Sequence, residues 1–201
     1  MDIILSTRNP TKAIEIKTML KEFNVNILTL SEAGIQGEAV EDGNTLEENA
    51  AKKIDYAGLQ LNNGAAWIMA DDSGIFITAL DGAPGIKAAR WAGDEATTEE
   101  IIHYTLKQMD GIKDRSATFK TAIVLQSPDG KKLYFEGLTT GQLAESPKAN
   151  PKPAMPYTAI FSPDGTNKVL AEMTIEEQKG LSSRGKAVLQ VVAFLKGFLN
   201  G

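Results

Sequence analysis

Short apolar runs and amphipathic segments alternate along the amino-terminal part of the chain. DIILST at residues 2–7 predicts a short buried strand, and VNILTL at residues 25–30 predicts a second. The segment 11–23 lies between them and predicts a helix. The apolar face of this helix would be formed by Ala13, Ile16, Leu20 and Phe23. A strand, a helix and a second strand in this order are typical of an α/β unit.

Three T-x-x-E sequences predict the starts of further helices. A threonine hydroxyl and a glutamate three residues later can cap the free backbone N–H groups of a first helical turn. The three sequences begin at Thr45, Thr97 and Thr174, and the first of these helices should run to about Leu61. A final helix is predicted from about residue 184 to residue 199.

Most of the remaining apolar runs predict strands. AAWIMADD (65–72) is interpreted as a buried strand, and SGIFITAL (73–80) as a separate strand that ends at DGAPG. Residues 117–126 and 131–138 predict a hairpin across SPDG. The segment ESPKANPKPAMP contains four of the eight prolines, so it predicts an irregular but ordered loop.

Strands and helices mixed in this order predict an α/β or α+β domain with a central mixed sheet. A chain of 201 residues can bury an ample core, and we expect residues 1–201 to form one domain. A fold class of this kind hosts many unrelated activities, so the function has to be inferred from candidate sites.

Composition narrows the class of protein. Hydrophobic residues make up 42% and charged residues 23% of the chain, and the apolar runs are too short to cross a bilayer, so no membrane insertion is expected. The amino terminus does not match a secretory or transit signal, which favours a cytoplasmic protein. The absence of cysteine excludes disulfides, thiolate metal sites and cysteine nucleophiles. The single histidine, His103, is interpreted as a helix residue without a catalytic partner.

The net charge of −5 argues against binding to long nucleic acids, which requires clustered Lys and Arg. A phosphate ligand would therefore be held by local groups. STRNPTK offers such groups, because a strand that passes through Asn9 and Pro10 into a helix leaves backbone N–H groups at the helix start. Lys12 in the first turn is unfavourable for the helix dipole unless an anion binds there. The alternative, an exposed lysine on an ordinary turn, stays open from this stretch alone.

Two acidic stretches contain the other candidates. Glu41 precedes a helix on which Asn49 and Lys53, four residues apart, share a face, and the helix dipole does not explain Glu41. In MADDSGIF, the adjacent Asp71 and Asp72 could hold Mg²⁺, or they could form an ordinary junction between a strand and a turn. Neighbouring side chains on a strand point to opposite faces, so at most one of the two would face a given cleft unless the strand ends there.

Five motifs occur in order along the chain: S-T-x-N-x-x-K, E-x-G-x-T-x-x-E-N-A-x-x-K, A-D-D-S-G-I, G-A-P-G-I-x-x-A-R and S-x-R-G-x-A. Together they resemble the non-canonical purine nucleoside triphosphate pyrophosphatases, the inosine triphosphatase-like family, over essentially all 201 residues. The resemblance implies an α/β fold with a long central mixed sheet flanked by helices, and two lobes that enclose an active-site cleft. It also implies a homodimer, Mg²⁺ as the cofactor, and cleavage of a nucleoside triphosphate into the monophosphate and pyrophosphate.

The resemblance also implies roles for individual residues. Asp72 would be the catalytic base, and Glu41 and Asp72 would hold the metal ion. Ser73 would contact the substrate. The phosphates would be bound by Thr7, Arg8, Asn9, Lys12 and Lys53.

The side expected to recognise the base departs from the family pattern. Where the family usually reads G-F-G-Y-D-P-I-F, this chain reads AMPYTAIF, so Met155 replaces a stacking phenylalanine and Thr158 an aspartate. Ser183 takes the place of a histidine beside the retained Arg184, and Gln178 takes that of a lysine. The predicted base-side residues are Met155, Pro156, Tyr157, Thr158, Gln178, Ser183 and Arg184.

The expected function is hydrolysis of non-canonical purine triphosphates, such as those of inosine, deoxyinosine and xanthosine, with an altered base preference. One alternative is a nucleotide-binding or regulatory protein with little turnover, and another is a pyrophosphatase for a different modified nucleotide. The intact carboxylates and lysines favour an enzyme, because a binding protein would not need the metal-holding carboxylates.

Overall fold

The structure, a computed structural model, describes residues 1–23, 25–61 and 66–200. Its strands are β1 (Asp2–Leu5), β2 (Asn26–Thr29), β3 (Trp67–Ile77), β4 (Pro84–Gly85), β5 (Ser116–Gln126), β6 (Lys132–Leu143) and β7 (Phe161–Pro163). Its α-helices are α1 (Pro10–Met19), α2 (Leu46–Gln60), α3 (Thr98–Gln108), α4 (Ile175–Leu181) and α5 (Ser183–Asn200).

The strands form one mixed sheet in the order β2–β1–β3–β5–β6–β7, and β4 pairs separately with β3. β1 is parallel to both of its neighbours, β2 and β3. The pairs from β3 through β5 and β6 to β7 are antiparallel. The predicted α/β fold with a long central mixed sheet and flanking helices is confirmed.

The third strand differs from its prediction. The two strands expected at 65–72 and 73–80 are one continuous strand, β3, and the first residue of that prediction, Ala65, lies outside the described residues. The Ser-Gly pair that suggested a break lies in mid-strand. A Cβ atom on Gly74 would lie 2.6 Å from the carbonyl oxygen of Gly85, so the glycine permits close approach of β4.

The hairpin formed by β5 and β6 is longer than predicted, because β6 continues to Leu143. The predicted strand passes through Gly137 and stops before Gly141. Both glycines make room for neighbouring backbone: a Cβ atom on Gly137 would collide with the carbonyl oxygen of Ser183, and one on Gly141 with that of Ser162. The amino terminus of α5 therefore lies directly against β6.

The helix ends follow their capping residues. The boxes predicted at Thr97 and Thr174 are both complete. At Thr45 only the hydroxyl half is present, because the carboxylate of Glu48 accepts from the backbone N–H of Asn44 instead. The first helix, predicted over 11–23, ends at Met19, and the chain turns before the predicted second strand, which covers only Asn26–Thr29.

Apolar side chains cover both faces of the sheet. One cluster packs α1 and α5 against the centre of the sheet and includes Ile16, Met69 and Val188. A second cluster places α2 on the opposite face, with Ile54 at its centre. A third lies towards the far end of β3, where α3 packs. None of the helices in the described part of the chain combines the length and the apolar character needed to cross a membrane.

The edge of β3 carries a gap that positions the site. β1 pairs with β3 only as far as Leu5 opposite Met69, and β4 begins to pair only at Ile75. Between these points, residues 70–74 have β5 on one side but no strand on the other, as far as the chain is described. We call this gap the notch. Side chains from both faces of the sheet can reach the same space there.

Candidate active site

A cavity of about 420 Å³ opens at the notch. Its walls come from the start of α1, from α2, from β3 and β5, from the proline-rich loop and from the junction between α4 and α5. All the residues predicted from the sequence as catalytic, metal-holding or substrate-binding line this one cavity. They are Thr7, Arg8, Asn9, Lys12, Glu41, Lys53, Asp72, Ser73, Met155, Pro156, Tyr157, Thr158, Gln178, Ser183 and Arg184.

The start of α1 is formed by an asparagine cap followed by proline at the first helical position. The side-chain oxygen of Asn9 accepts hydrogen bonds from the backbone N–H groups of Thr11, at 3.0 Å, and Lys12, at 3.2 Å. The N–H groups of Thr11 and Lys12 that we expected to be free are therefore already bonded. The same asparagine donates through Nδ2 to the carbonyl of Ala154, which ties the helix start to the proline-rich loop.

Arg8 holds the loop that follows β2. Its guanidinium donates to the carbonyl oxygens of Ile35 and Gly37 at 2.6–2.8 Å, and to the hydroxyl of Ser31 at 3.1 Å. The side chain that the sequence suggested for phosphate binding thus shapes the wall of the cavity through backbone contacts.

Asp72 is held by two residues of α2. Nδ2 of Asn49 donates to its Oδ2 at 3.1 Å, and the Lys53 ammonium lies 3.3 Å from its Oδ1. Asn49 and Lys53 can both reach this carboxylate because they are one helical turn apart. Lys53 also lies 2.9 Å from Oε2 of Glu41 and donates to the carbonyl of Asp71. Burial would lower the pKa of Lys53, but Asp72 and Glu41 raise it, so the ammonium stays charged.

Asp71 points to the other face of the sheet and is completely buried. Its Oδ2 lies 3.2 Å from the Lys12 ammonium and 3.1 Å from Nε of Arg184. Burial would raise the pKa of Asp71, but Lys12, Arg184 and Lys53 lower it well below its ordinary value. The pKa of Lys12 is lowered by burial and by the nearby Lys53 and Arg184, against the effect of Asp71. The side chains of the two adjacent aspartates therefore lie on opposite faces of the sheet, and of these two only Asp72 lines the cavity.

Arg184 lies at the centre of a buried charge cluster. Its Nη1 donates to Oε2 of Glu15 at 2.8 Å, and Nη2 donates to the hydroxyl of Ser73 at 3.3 Å. Lys152 of the proline-rich loop lies 3.2 Å from the other oxygen of Glu15. Carboxylates from α1 and β3 thus fix the guanidinium in the cavity wall.

The side expected to recognise the base is well buried. The Tyr157 hydroxyl donates to the carbonyl of Ala88, and burial raises the pKa of this tyrosine well above its ordinary range. The Thr158 hydroxyl donates to the carbonyl of Met155 at 2.7 Å. The Gln178 amide donates to the carbonyls of Leu170 and Met173, so its nitrogen holds backbone.

Sequence reasoning missed several residues of the site. Glu15 and Thr121 are buried, and Thr121 and Phe119 line the cavity from β5. Phe119 supplies an aromatic ring that stands edge-on to Tyr157, with ring centroids 6.3 Å apart. Arg90 lies at the end of the G-A-P-G-I-x-x-A-R motif and donates to the carbonyl of Glu41. That motif was the signal that could have identified Arg90.

The two carboxylates assigned to the metal suit a magnesium ion in number and kind. Oε2 of Glu41 lies 2.9 Å and Oδ1 of Asp72 lies 3.3 Å from the Lys53 nitrogen, so both carboxylates face the same side chain. Within the described residues, no three His, Cys, Asp or Glu side chains gather to form a metal cage. Mg²⁺ is typically held by one or two carboxylates together with water and substrate phosphates, so the pair fits an ion that binds with a phosphate ligand.

Comparison with known proteins identifies the family of this chain. A model of the Ham1 family matches residues 3–194. The chain belongs to the Ham1 family. The resemblance to the inosine triphosphatase-like proteins is thereby confirmed.

Relatives and solved structures match this chain over nearly its whole length. A dITP/XTP pyrophosphatase of Clostridium perfringens is 38% identical and covers 98% of both chains. One of Caldanaerobacter subterraneus is 35% identical, over 96% of this chain and 95% of its own. The solved structure of a HAM1 protein from Coxiella burnetii has a TM-score of 0.83 at 29% identity, and covers 98% of this chain and 99% of its own.

Proposed function

We propose that this Ham1-family protein hydrolyses nucleoside triphosphates to the monophosphate and pyrophosphate, and that its substrates are non-canonical purine nucleotides of the inosine, deoxyinosine and xanthosine type. The observation that carries the proposal is the placement of Asp72. Its carboxylate is fixed by Asn49 and Lys53 at the edge of a cavity that also contains Lys12. Relatives named dITP/XTP pyrophosphatase, matched over nearly their full length, support the same reaction.

The charges of the site support a substrate that arrives with a metal ion. Four cationic side chains meet four carboxylates around the notch: Lys12, Lys53, Lys152 and Arg184 with Glu15, Glu41, Asp71 and Asp72. The positive and negative charges of these two sets are equal in number, so the protein alone offers little net electrostatic attraction for a triphosphate. We propose Mg²⁺ as the ion that supplies the missing positive charge, held by Glu41 and Asp72. When bound, the ion neutralises phosphate oxygens and polarises the bond to be cleaved.

Residues of the chain itself would bind the phosphates and activate the water molecule. Lys53 and Lys12, at the two sides of the notch, bind phosphate oxygens and hold the triphosphate across the gap. Asp72 accepts a proton from a water molecule, whose oxygen attacks the α phosphorus as the bond from that phosphorus to the departing pyrophosphate breaks. The hydrogen bond from Asn49 fixes the orientation of Asp72, so the carboxylate need not reorganise during the reaction.

The base side supports an altered preference among bases. Met155 and Thr158 replace the ring and the carboxylate that the family usually carries, while the phosphate side matches the family pattern. The homodimer and the two lobes remain proposals from the family resemblance. The single domain, predicted from the chain length, and the cytoplasmic location, predicted from the composition, also remain proposals.

The test measures pyrophosphate release in the presence of Mg²⁺ from a panel of nucleoside triphosphates. The panel contains the triphosphates of inosine, deoxyinosine, xanthosine, adenosine, guanosine and the pyrimidine nucleosides. Release from the first three at higher kcat/KM than from adenosine triphosphate is the expected result. Binding of nucleotides without release of pyrophosphate from any of them would favour the nucleotide-binding alternative. Release only from another nucleotide would favour the alternative of a different substrate.

A further inference from the structure

One row of the sheet connects three strands beside the notch. Ser73 on β3 pairs with Thr121 on β5, and Thr121 pairs with Gly137 on β6. The missing side chain at Gly137 leaves room for the backbone of Ser183, the first residue of α5. The hydroxyl of Ser183 therefore reaches the row that carries Ser73 and Thr121.

The three hydroxyl groups form a chain of hydrogen bonds. Oγ of Ser73 lies 2.9 Å from Oγ1 of Thr121, which lies 2.8 Å from Oγ of Ser183. Thr121 is 1% exposed, so its hydroxyl depends on these two partners. All three residues line the cavity. We call this chain the hydroxyl relay.

Arg184 gives the relay a preferred direction. Its Nη2 donates to Oγ of Ser73, and a guanidinium donor is charged. Either hydroxyl of each pair could donate, but a hydroxyl that accepts from a cation becomes a better donor, which favours donation from Ser73 to Thr121 and from Thr121 to Ser183. In this direction the Ser183 oxygen is already an acceptor within the relay, and its own O–H remains for a ligand in the cavity.

We infer that Thr121 is a specificity-determining positioning residue that, through the relay, presents the Ser183 hydroxyl as a hydrogen-bond donor to the base. The inference rests on the proposed function, because it places a purine at this end of the cavity. A 6-keto purine presents acceptors at O6 and N7, whereas a 6-amino purine presents donor N–H groups at the position of O6. A donor at Ser183 therefore favours the keto base. Serine in the place of the family's histidine would keep part of the selectivity through this polarisation.

The test measures binding of the two product-like nucleotides, so it does not depend on turnover. Dissociation constants for inosine and adenosine monophosphates are compared in the natural protein, in Thr121→Val and in Thr121→Ser. Valine has the shape of threonine without the hydroxyl. We expect Thr121→Val to lower the preference for inosine monophosphate by about three- to tenfold, the range that follows from one hydrogen bond, and Thr121→Ser to retain it.

Two further variants separate the relay from a merely structural effect. Thr139→Val removes another buried hydroxyl on the neighbouring strand, one that donates to the carbonyl of Leu181 outside the cavity lining, and should leave the preference unchanged. Ser183→Ala should lower the preference as much as Thr121→Val. The double variant should lower it no further than Ser183→Ala alone, because Ser183→Ala removes the donor and Thr121→Val removes only the group that positions it.

Equal weakening of both nucleotides by Thr121→Val, an unchanged preference, additive effects in the double variant, or the absence of any nucleotide binding by the natural protein would each overturn the inference. Pyrophosphate release by the natural protein tests the proposed function separately. A protein that binds inosine monophosphate through the relay but releases no pyrophosphate would refute the proposed reaction and retain the relay. Thermal unfolding of each variant shows whether it is folded.

Discussion

The ammonium of Lys53 lies 3.3 Å from Oδ1 of Asp72, across the notch at the edge of β3. This contact brings a cation of α2 to a carboxylate of the sheet, at a point where no strand covers the edge of β3 in the part of the chain that is described. The other oxygen of Asp72 accepts from Asn49, so the orientation of the carboxylate is defined before any ligand binds.

Replacing Asp72 with asparagine should abolish turnover and leave the fold intact. An amide neither accepts a proton nor holds Mg²⁺ as a carboxylate does, and loss of a general base typically costs a hundredfold or more in kcat, about 10²–10⁴. The measurement is pyrophosphate release together with thermal unfolding. Asp42→Asn is the matched control, because Asp42 is an exposed carboxylate that pairs with Lys52. Activity of Asp72→Asn close to that of the natural protein would remove Asp72 from the mechanism.

Lys12 and Lys53 should act on the phosphates whichever base is bound. Changing either lysine to alanine should weaken every triphosphate by a similar factor, because each lost charge-assisted contact costs about 1.5–3 kcal/mol. The measurement is kcat/KM for inosine and adenosine triphosphates in each variant. Lys52→Ala, next to Lys53 on α2, is the control and should change neither value. Losses that depend strongly on the base would contradict the assignment.

Asp71 should govern stability in acid. Asp71→Asn leaves Lys12 and Arg184 buried without their shared carboxylate, and removing one partner of a buried ion pair typically lowers the free energy of unfolding by about 3–5 kcal/mol. The folded-state pKa of Asp71 is depressed, so its contribution is complete above the unfolded pKa, near 3.8, and is lost as the pH falls through the folded pKa. Denaturant unfolding of the natural protein and of Asp71→Asn, at steps of about one pH unit between pH 2 and pH 7, measures both the loss of unfolding free energy and its pH dependence.

The natural protein should lose stability below a pH of about 4, and the loss should be smaller in the asparagine variant. A pH dependence that is identical in the two proteins would show that Asp71 is not the group responsible.

Base discrimination should be weaker than in relatives that carry the usual residues. Stacking on an aromatic ring is worth about 1–3 kcal/mol per base, and Met155 offers apolar contact without a ring face. The triple variant Met155→Phe, Thr158→Asp and Ser183→His should raise the ratio of kcat/KM for inosine over adenosine triphosphate. Single variants at the same positions are the controls. A natural protein that already rejects adenosine triphosphate by several hundredfold, with no gain in the triple variant, would contradict this expectation.

The order of elements and the residues that line the cavity could be predicted, because apolar periodicity and short motifs are local in the sequence. Apolar periodicity and threonine caps identified most helices and strands, and short motifs contained Lys12, Lys53 and Asp72. The joined strand β3 and the full length of β6 could not be predicted, because Gly74 and Gly141 resemble breaks in the sequence but lie against backbone in the fold. A glycine is informative only when its neighbours in space are known.

The buried partners of the site were missed for a related reason. Glu15 meets Arg184, which lies 169 residues later in the chain, and Thr121 meets Ser183, 62 residues later. No periodicity or short motif connects positions so far apart. A glutamate one turn after Lys12 looks like an ordinary exposed residue of a helix until the packing of α5 encloses it.

The opposite orientation of Asp71 and Asp72 has a consequence for how such a protein can evolve. Asp72 belongs to the α2 face with Asn49 and Lys53, whereas the substituted positions, Met155 and Ser183 among them, lie on the other side of the notch. Mutations that change which nucleotide is recognised need not displace the carboxylate that we propose as the catalytic base. Substrate range can therefore change while the proposed hydrolytic chemistry is retained.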